Sequence, residues 1–211
     1  MTVDCVTIAT SHFFGDAIAA QFRLRYRIFV ERRHWTVPCW DGMEFDQFDT
    51  PATAYFVWRD DTGEARGIAR IAPTQLPYML QTLWPDMVTN EPLPCDPKVW
   101  EGSRIGIDDS IDAGLRRRIL GELFCAYLEF GLQKDIDRFL VLMPFAFLRR
   151  TVAPIGWPPQ FIGPVKQMER TRVVAASMKV SARILDNVRA SMGIEGPVLR
   201  TAEQLLKSRA A

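Results

Sequence analysis

The spacing of apolar residues along the chain predicts both strands and helices. Two apolar runs at 54–58 and 66–72 flank the turn residues 60–63, a pattern typical of a β-hairpin. Apolar residues three and four positions apart indicate amphipathic helices at 16–30, 114–132, 145–152 and 182–192. The continuous apolar run at 139–143 predicts a strand buried on both faces, and we expect further strands at 100–107 and 173–180. Strands and helices that interleave in this way favour an α/β (α+β) fold with helices on both faces of a mixed central sheet.

Three segments lack a long periodic pattern. The segment from His34 to Thr53 mixes prolines and a glycine with acids and aromatics, which is typical of an ordered functional loop. Recurrent prolines after Pro73 allow only a short helix at 78–83. The tail has the spacing of a helix capping box, followed by two leucines that we expect to dock it: Thr201, Gln204, Leu205 and Leu206.

Length and charge restrict the class of protein. A chain of 211 residues can bury a sizeable core, and we expect a single domain over residues 1–211. Lys and Arg total 26 against 25 Asp and Glu, a formal net charge of +1 that disfavours a nucleic-acid partner. The longest apolar run, 139–148, is too short for a membrane span. The N-terminus has no secretory signal, so we expect a cytoplasmic protein with no membrane partner. We also expect a monomer.

Cysteines and histidines are too few and too scattered for metal or dithiol chemistry. The chain has two histidines, His12 and His34, so a histidine metal site is nearly excluded. A catalytic Ser/His or Cys/His pair would have to use one of these two residues. We therefore expect chemistry without a metal. The four cysteines lie far apart, and we expect reduced thiols mostly in the core: Cys5, Cys39, Cys95 and Cys125.

Charged residues recur among aromatic ones in the first half of the chain. Burial of an unpaired ion costs roughly several kcal/mol, so acids and arginines set among Trp, Phe and Ile favour a cleft over a solvated face. We interpret the series as a reaction centre. It consists of Arg25, Glu44, Asp46, Asp49, Arg70, Glu101 and Arg104.

These residues stand in an ordered set of motifs. Arg25 precedes Phe29 by four residues, and Trp35 follows. The later motifs are Met43-Glu44-Phe45-Asp46-Gln47-Phe48-Asp49-Thr50-Pro51, Arg70-Ile71-Ala72-Pro73-Thr74, Pro77-Tyr78-Met79-Leu80 and Trp100-Glu101-Gly102-Ser103-Arg104. In order and spacing the set resembles the acyl-homoserine-lactone synthases over most of the first half of the chain.

The resemblance implies a fold and a reaction. The fold is a three-layer sandwich like that of the GCN5-related N-acetyltransferases. The substrates are S-adenosylmethionine and an acyl thioester of coenzyme A or acyl carrier protein, and neither is a cofactor. The product is an acyl-homoserine lactone, the diffusible signal of quorum sensing, and methylthioadenosine and the free thiol carrier leave.

The resemblance also assigns residues to roles. The catalytic set is Glu101, Arg104, Asp46, Asp49 and Arg25. The set for S-adenosylmethionine is Phe29, Arg32, Trp35, Met43, Arg70, Ser103 and Ile105. The acyl pocket is Met79, Trp84, Met143 and Phe147.

The chemistry of acyl transfer favours Glu101 as the base. The amino group of S-adenosylmethionine is largely protonated near neutral pH, so attack on a thioester needs a base within hydrogen-bond reach. The second step, in which the methionyl carboxylate displaces the γ-carbon from sulfonium, needs mainly the correct conformer. Asp46 and Asp49 can orient Arg25 and Arg104 and offset the sulfonium charge. Arg104 can hold a carboxylate or phosphate with two hydrogen bonds.

Structural roles for the same residues remain open from the sequence. A pair between Asp46 and Arg25 can serve only to stabilise the fold. Phe29 and Trp35 are aromatic residues of the kind more often found in a core than against a ligand, and a strand hydroxyl such as Ser103 is usually satisfied within the protein.

Two departures from the family's pattern concern the acyl pocket. Trp84 replaces the usual Phe, and Gly102 replaces the usual Leu, so we expect a pocket reshaped by one larger ring and one missing side chain. The run 142–144 offers no hydroxyl, which favours an unsubstituted acyl group, short or branched. The sequence leaves chain length, donor carrier and responding regulator undetermined.

Two other functions remain as alternatives. A plain acyl-coenzyme-A-dependent N-acyltransferase needs a pyrophosphate-binding run, and the nearest one, at 118–123, fails at its last position. A non-catalytic sensor of acyl thioesters or nucleotides needs the pocket alone, and the presence of Glu101 with Arg104 argues against it.

Overall fold

The structure is a computed structural model that describes residues 3–209, with side chains through residue 207. Its helices are α1 (Ala17–Arg25), α2 (Met79–Leu83), α3 (Ala113–Gln133), α4 (Phe145–Phe147), α5 (Ala182–Met192) and α6 (Ala202–Arg209). Its strands are β1 (Val3–Thr7), β2 (Cys39–Trp40), β3 (Met43–Glu44), β4 (Ala54–Arg59), β5 (Ala65–Pro73), β6 (Val99–Ile107), β7 (Arg138–Pro144), β8 (Gln160–Phe161), β9 (Lys166–Met168), β10 (Thr171–Lys179) and β11 (Leu199–Arg200). Wider π-type turns extend α1 over Tyr26–Arg32 and α4 over Leu148–Val152. None of the helices in this part of the chain is long and apolar enough to cross a bilayer.

The described chain divides into two compact units. The first comprises residues 3–71, 104–126 and 196–209. Its strand order is β11-β1-β4-β5, with β11 parallel to β1 and the other pairs antiparallel. Apolar residues of α1 and its π-type turn, including Leu24, Ile28 and Phe29, form a core with Tyr55 and Ile68 of the hairpin β4–β5.

The second unit comprises residues 72–103 and 127–195. The first part of β6 pairs parallel with β7, and β10 pairs antiparallel with β7, β8 and β9. The connection from β6 to β7 runs through α3, as parallel strands require a crossover. Tyr78, Leu80 and Met87 form its core with Leu140 and Ala175.

The mixed sheet confirms the predicted fold class. The main helices and strands confirm the elements that the apolar spacing predicts. The hairpin is β4–β5, and the predicted helices at 114–132 and 182–192 are α3 and α5. The predicted strands are β6, β7 and β10. The capping box is present, because the Thr201 N–H donates to Gln204 Oε1 and the Gln204 N–H donates to Thr201 Oγ1.

Several expectations need correction. The helix predicted over 16–30 is α-helical only to Arg25, because carbonyls in the next turn accept from residues five and six positions on, as Ile28 does from Arg33 and Phe29 from Trp35. Leu205 packs on the core, but Leu206 is 52% exposed, so one leucine docks the tail. Cys39 and Cys95 are exposed, so only half of the cysteines are core thiols.

The strands that the sequence did not predict are short. β2, β3, β8 and β11 have two residues each, too few for a period of two to be visible. β1 was missed because Asp4 interrupts its apolar run. Asp4 is 1% exposed and is neutralised by ion pairs with Arg59 and Arg200, both at 2.6 Å.

Candidate active site

The first unit contains a buried cluster of six charged side chains. We call it the ionic cluster. Each of its side chains is at most 7% exposed, and it balances three acids against three arginines. Its members are Arg25, Glu44, Asp46, Asp49, Arg70 and Arg104.

Local structure places these residues. Arg25 ends α1, and Arg70 and Arg104 lie on β5 and β6. Glu44 lies on β3, which a tight turn joins to β2, and Asp41 and Gly42 in that turn have φ of 47° and 70°.

Glu44 joins two arginines of the ionic cluster. It is fully buried and accepts from Arg25 Nε at 2.5 Å. On its other side, Glu44 Oε1 accepts from Arg104 Nη2 at 3.1 Å and from Nε at 3.2 Å. Arg104 also donates to Asp46 Oδ2 at 2.8 Å. The backbone of Arg104 has φ of 51°, an unfavourable conformation for a residue with a Cβ, and these ion pairs help to hold it.

Asp46 and Asp49 form a compact turn that holds the remaining arginines. The Asp46 N–H donates to Asp49 Oδ2 at 2.7 Å, which fixes one acid relative to the other. Arg25 binds Asp49 with two hydrogen bonds, at 2.7 and 3.0 Å. Arg70 donates to Asp46 at 2.6 Å, and the Tyr55 hydroxyl lies 2.9 Å from Asp49 Oδ1.

Burial and charge pairing shift the pKa values of several members in opposite directions. Desolvation raises the pKa of Asp49, but hydrogen bonds and charge from Arg25, with Arg70 behind it, outweigh that effect and lower the pKa to about 2. Desolvation lowers the pKa of Arg25 and Arg70, and their acid partners more than reverse this, so both pKa values rise. Burial and the Asp49 carboxylate raise the pKa of the Tyr55 hydroxyl. Asp49 and its arginines are therefore charged at neutral pH.

An aromatic pair lies next to Arg104. Phe29 and Trp35 stack with ring centroids 4.9 Å apart and planes 16° apart. The guanidinium carbons of Arg33 and Arg104 each lie 5.6 Å from the Phe29 centroid. Phe29 is 1% exposed, so it supports Trp35 within the core, and the half-buried Trp35 is the member with exposed surface.

Glu101 lies in the second unit, three residues before Arg104 on β6. Its side chain is buried, and each of its oxygens accepts from a backbone amide at the start of α2. The Met79 N–H donates to Oε2 at 3.0 Å and the Leu80 N–H to Oε1 at 2.5 Å. These are donors that a helix N-terminus leaves without an intrahelical partner. The arrangement stabilises the ionised carboxylate, because hydrogen bonds donated to a charged form favour that form.

The residues assigned to the acyl pocket all lie in the second unit. Met79 is buried at the start of α2, and Trp84 packs against the core that contains Leu80 and Met87. Met143 on β7 and Phe147 on α4 are half-buried. The pairing of β6 with β7 is described from Val99 to Gly102, and Met143 lies two residues beyond the last partner, Val141.

The space beside Gly102 is occupied by a side chain of α3. A Cβ at Gly102 would lie 2.8 Å from the Tyr127 hydroxyl oxygen, closer than Cβ atoms come to other heavy atoms. The ring of Tyr127 therefore fills the space of the missing side chain.

The remaining residues assigned to S-adenosylmethionine are more dispersed. Arg32 is half exposed and pairs with Asp109 at 2.8 Å, with no described bond to the ionic cluster. Met43 precedes Glu44 on β3, and Ser103 and Ile105 flank Arg104 on β6. All three are half-buried.

Glu44 received no role from the sequence, although it stands in the charged series. The Asp-Gly pair at 41–42 was a signal for the hairpin that places it, and that signal was overlooked. Across the described residues, no group of three or more His, Cys, Asp or Glu side chains is arranged to hold a metal ion.

Solved structures show which class of protein has this fold. The chain superposes on a putative N-acetyltransferase from Lactobacillus plantarum with a TM-score of 0.54 at 16% identity, a likeness of fold alone that covers 86% of this chain and all of that one. A coenzyme-A-dependent acyl-homoserine lactone synthase, BjaI, determined with S-adenosylmethionine and isopentyl-coenzyme A, gives a TM-score of 0.84 at 26% identity, over 95% of this chain and 92% of that one. The fold is that of an acyltransferase-type enzyme.

Sequence comparison narrows the class to a family. Residues 12–188 match the family model described as autoinducer synthase. The chain belongs to this family. The relatives that it matches are acyl-homoserine-lactone synthases. It is 28% identical to the isovaleryl-homoserine lactone synthase of Bradyrhizobium diazoefficiens, over 96% of this chain and 91% of that protein. It is 30% identical to the enzyme of Pseudomonas aeruginosa, over 81% of this chain and 86% of that protein.

A shorter match has higher identity. The acyl-homoserine-lactone synthase of Acinetobacter nosocomialis is 39% identical over 97 residues, which is 46% of this chain. That match spans about half of the relative's length, 53%.

Proposed function

We propose that this enzyme acylates the amino group of S-adenosylmethionine from an acyl thioester and then closes the homoserine lactone. In the first step a bond forms between the amine nitrogen and the acyl carbon, the carbon–sulfur bond of the thioester breaks, and the amine proton leaves through the base. In the second step the methionyl carboxylate forms a bond to the γ-carbon while the bond from that carbon to sulfonium breaks. Methylthioadenosine and the free thiol carrier are released with the lactone.

One observation carries the proposal. The motif that defines the family resemblance forms a single buried ionic cluster, in which Glu44 and Asp46 both bind Arg104. A cluster of fixed, fully paired charges is preorganised, so it can stabilise a charged substrate without reorganising during the reaction. S-adenosylmethionine presents a sulfonium, an ammonium and a carboxylate. Carboxylates of the cluster suit the two cations, and Arg104 suits the carboxylate.

Trp35 is the aromatic residue that we propose for contact with the substrate. It is half-buried, stacks on the fully packed Phe29, and lies within 6.0 Å of the Arg104 guanidinium carbon. An indole held in this way offers a face to adenine or to the sulfonium. Met43, Ser103 and Ile105, which adjoin members of the ionic cluster along the chain, remain weaker candidates for the same substrate.

We assign Glu101 as the general base of the first step. A base must be ionised before it can take a proton, and the two backbone amides that bind Glu101 favour the ionised carboxylate. They also fix its position, because each carboxylate oxygen accepts from one of the two amides. In this proposal the amino group of the substrate gives its proton to Glu101, directly or through one water.

For the acyl donor we propose a coenzyme A thioester with a short or branched chain. The support is the match to the isovaleryl-homoserine lactone synthase of Bradyrhizobium diazoefficiens and to BjaI, whose structure contains isopentyl-coenzyme A. The bulky Trp84, Met143 and Phe147 agree with a short chain. The alternative to a coenzyme A thioester is an acyl group carried by acyl carrier protein. We further propose that the chain forms one catalytic domain, since a single family model spans both compact units. We also propose that it works as a cytoplasmic monomer.

The proposal is tested by product analysis with purified enzyme. S-adenosylmethionine is supplied with isovaleryl-coenzyme A, with octanoyl-coenzyme A, or with the same acyl groups on acyl carrier protein, and products are identified by mass spectrometry. We expect isovaleryl-homoserine lactone, formed faster from coenzyme A than from carrier protein. A faster reaction with carrier protein would reverse the donor assignment. Binding of acyl-coenzyme A without any turnover would favour a sensor, and acylation of other amines without lactone would favour a plain N-acyltransferase.

A further inference from the structure

Arg33 carries a positive charge without an acid partner next to Trp35. Within residues 3–207, its guanidinium forms no ion pair and no hydrogen bond, and it contacts the rings of Phe29 and Trp35. Burial lowers the pKa of Arg33, the like charge of Arg32 lowers it further, and no acid opposes these effects. Arginine stays protonated in proteins, so Arg33 offers an unpaired cation at the aromatic pair.

The backbone after α1 brings Arg33 and Trp35 together. The Arg33 N–H donates to the Ile28 carbonyl at 3.2 Å, and the Trp35 N–H donates to the Phe29 carbonyl at 2.9 Å. Between them His34 has φ of 56°, an unfavourable conformation that persists only where the surrounding structure fixes it. The guanidinium and the indole are therefore both held against Phe29.

Two guanidinium groups lie beside this aromatic stack. The Arg33 Cζ lies 5.6 Å from both ring centroids, and the Arg104 Cζ lies 5.6 Å from that of Phe29 and 6.0 Å from that of Trp35. A point at equal distances from two stacked centroids lies at the side of the stack. Neither arginine therefore covers the outer face of Trp35, and a ligand that stacks on that face has both cations at its side.

The two arginines differ in how far they are neutralised. Arg104 binds the carboxylates of Glu44 and Asp46 at 3.1 and 2.8 Å, whereas Arg33 binds no acid. The next step rests on the proposed function, in which S-adenosylmethionine contacts Trp35. The methionyl carboxylate is the one anionic group of that substrate, and Arg33 has more uncompensated positive charge to offer it than Arg104.

We propose that Arg33 is a substrate-binding residue whose guanidinium pairs with the methionyl carboxylate of S-adenosylmethionine. A guanidinium can bind a carboxylate with two parallel hydrogen bonds, which fixes orientation as well as charge. The carboxylate is the nucleophile of lactone closure, so this pairing positions the group that attacks the γ-carbon in the second step.

The test compares binding of S-adenosylmethionine with binding of decarboxylated S-adenosylmethionine, which keeps the adenosine, the sulfonium and the amine. Isothermal titration calorimetry with the purified full chain supplies both dissociation constants. We expect wild type to prefer the ligand with the carboxylate, and Arg33→Gln to reduce this preference about tenfold, because a hydrogen-bonded ion pair is lost. Affinity for the decarboxylated ligand should stay within about threefold.

Arg23→Gln is the matched control. Arg23 lies on α1, is about half exposed and pairs with Asp16, so its replacement removes the same charge away from the aromatic pair. The preference for the carboxylate should remain at the wild-type value in this variant.

The outcomes separate this inference from the proposed function. A folded Arg33→Gln enzyme with the wild-type preference would overturn the inference, as would an equal loss of affinity for both ligands or an equal fall in Arg23→Gln. If Arg33→Gln does not fold, Arg33→Met keeps a flexible side chain against the rings, and an unchanged preference would again overturn the inference. A wild-type enzyme that neither binds nor consumes S-adenosylmethionine would instead reject the proposed function.

Discussion

At the scale of single residues, the site depends on charges that are buried and fully paired. Removing one partner of a buried ion pair leaves the other charge uncompensated, which typically costs about 3–5 kcal/mol. Asp49 shows how strongly the ionic cluster binds its acids, because the two hydrogen bonds from Arg25 lower its pKa to about 2 despite burial. This depression has a direct consequence for stability at low pH.

The stability contributed by Asp49 should disappear in acid. Its folded pKa of about 2 lies below the ordinary value of 3.8, so protons bind the unfolded state more readily between these values. The contribution is present above pH 3.8 and is lost as the pH falls through 2; it amounts to about 2 kcal/mol. Urea unfolding of wild type and Asp49→Asn should therefore show a stability difference that shrinks by that amount between pH 5 and pH 2. A difference independent of pH would contradict the shifted pKa.

Replacement of Glu101 by Gln should lower lactone formation at least tenfold. The amide is no base, and its NH2 group replaces one of the two acceptors that the Met79 and Leu80 amides use. We therefore also expect the free energy of unfolding to fall by about 2 kcal/mol, the typical value of a lost hydrogen bond to a charged group. Initial rates and urea unfolding on the same preparation separate the two effects. Wild-type turnover by the folded variant would remove Glu101 from the role of base.

At the scale of elements, the hairpin β2–β3 is the part of the site that the sequence under-predicted. Asp41 and Gly42 adopt the positive φ values of a two-residue turn, and the turn brings Glu44 back to pair with Cys39 in register. An Asp-Gly pair favours a two-residue hairpin turn, so the dipeptide at 41–42 is a sequence signal for this hairpin. The π-type turn at 26–32 has no such local signal. Its apolar spacing is compatible with an ordinary α-helix, and only packing distinguishes the π-type turn from that helix.

Gly42→Ala should weaken both the fold and the activity. Gly42 has φ of 70° with no atom within 4 Å of its Cβ position, so the alanine is opposed by backbone strain alone, about 1 kcal/mol. Gly63→Ala is the matched control, since Gly63 has φ of 85° and equally open surroundings in the turn between β4 and β5. Both variants should lose similar stability in urea unfolding, but only Gly42→Ala should reduce lactone formation, because its turn positions Glu44. Equal activity in the two variants would contradict a role for the β2–β3 hairpin in positioning the site.

At the scale of the whole molecule, the sequence predicted the regular elements better than their long-range contacts. Periodic apolar residues identified α3, α5 and the hairpin β4–β5, because helix and strand spacing depend on nearby residues. The contact of Gly102 with Tyr127 joins residues from β6 and α3, and no local pattern encodes it. Glu44 likewise acquires its role from Arg25 and Arg104, which are distant in sequence. The family motifs name candidate residues, and packing determines what each of them contacts.

The strand β6 connects the two halves of the proposed mechanism. Glu101 belongs to the second compact unit and Arg104 to the first, and only two residues separate them in the chain. We therefore propose one enzyme in which acylation and lactone closure occur on the same substrate molecule.

The stoichiometry of products tests this claim most directly. Purified enzyme is incubated with S-adenosylmethionine and isovaleryl-coenzyme A, and lactone, methylthioadenosine and free coenzyme A are quantified in one chromatographic run. We expect equal amounts of all three throughout the reaction. Free coenzyme A formed together with acylated S-adenosylmethionine, but without methylthioadenosine or lactone, would contradict it.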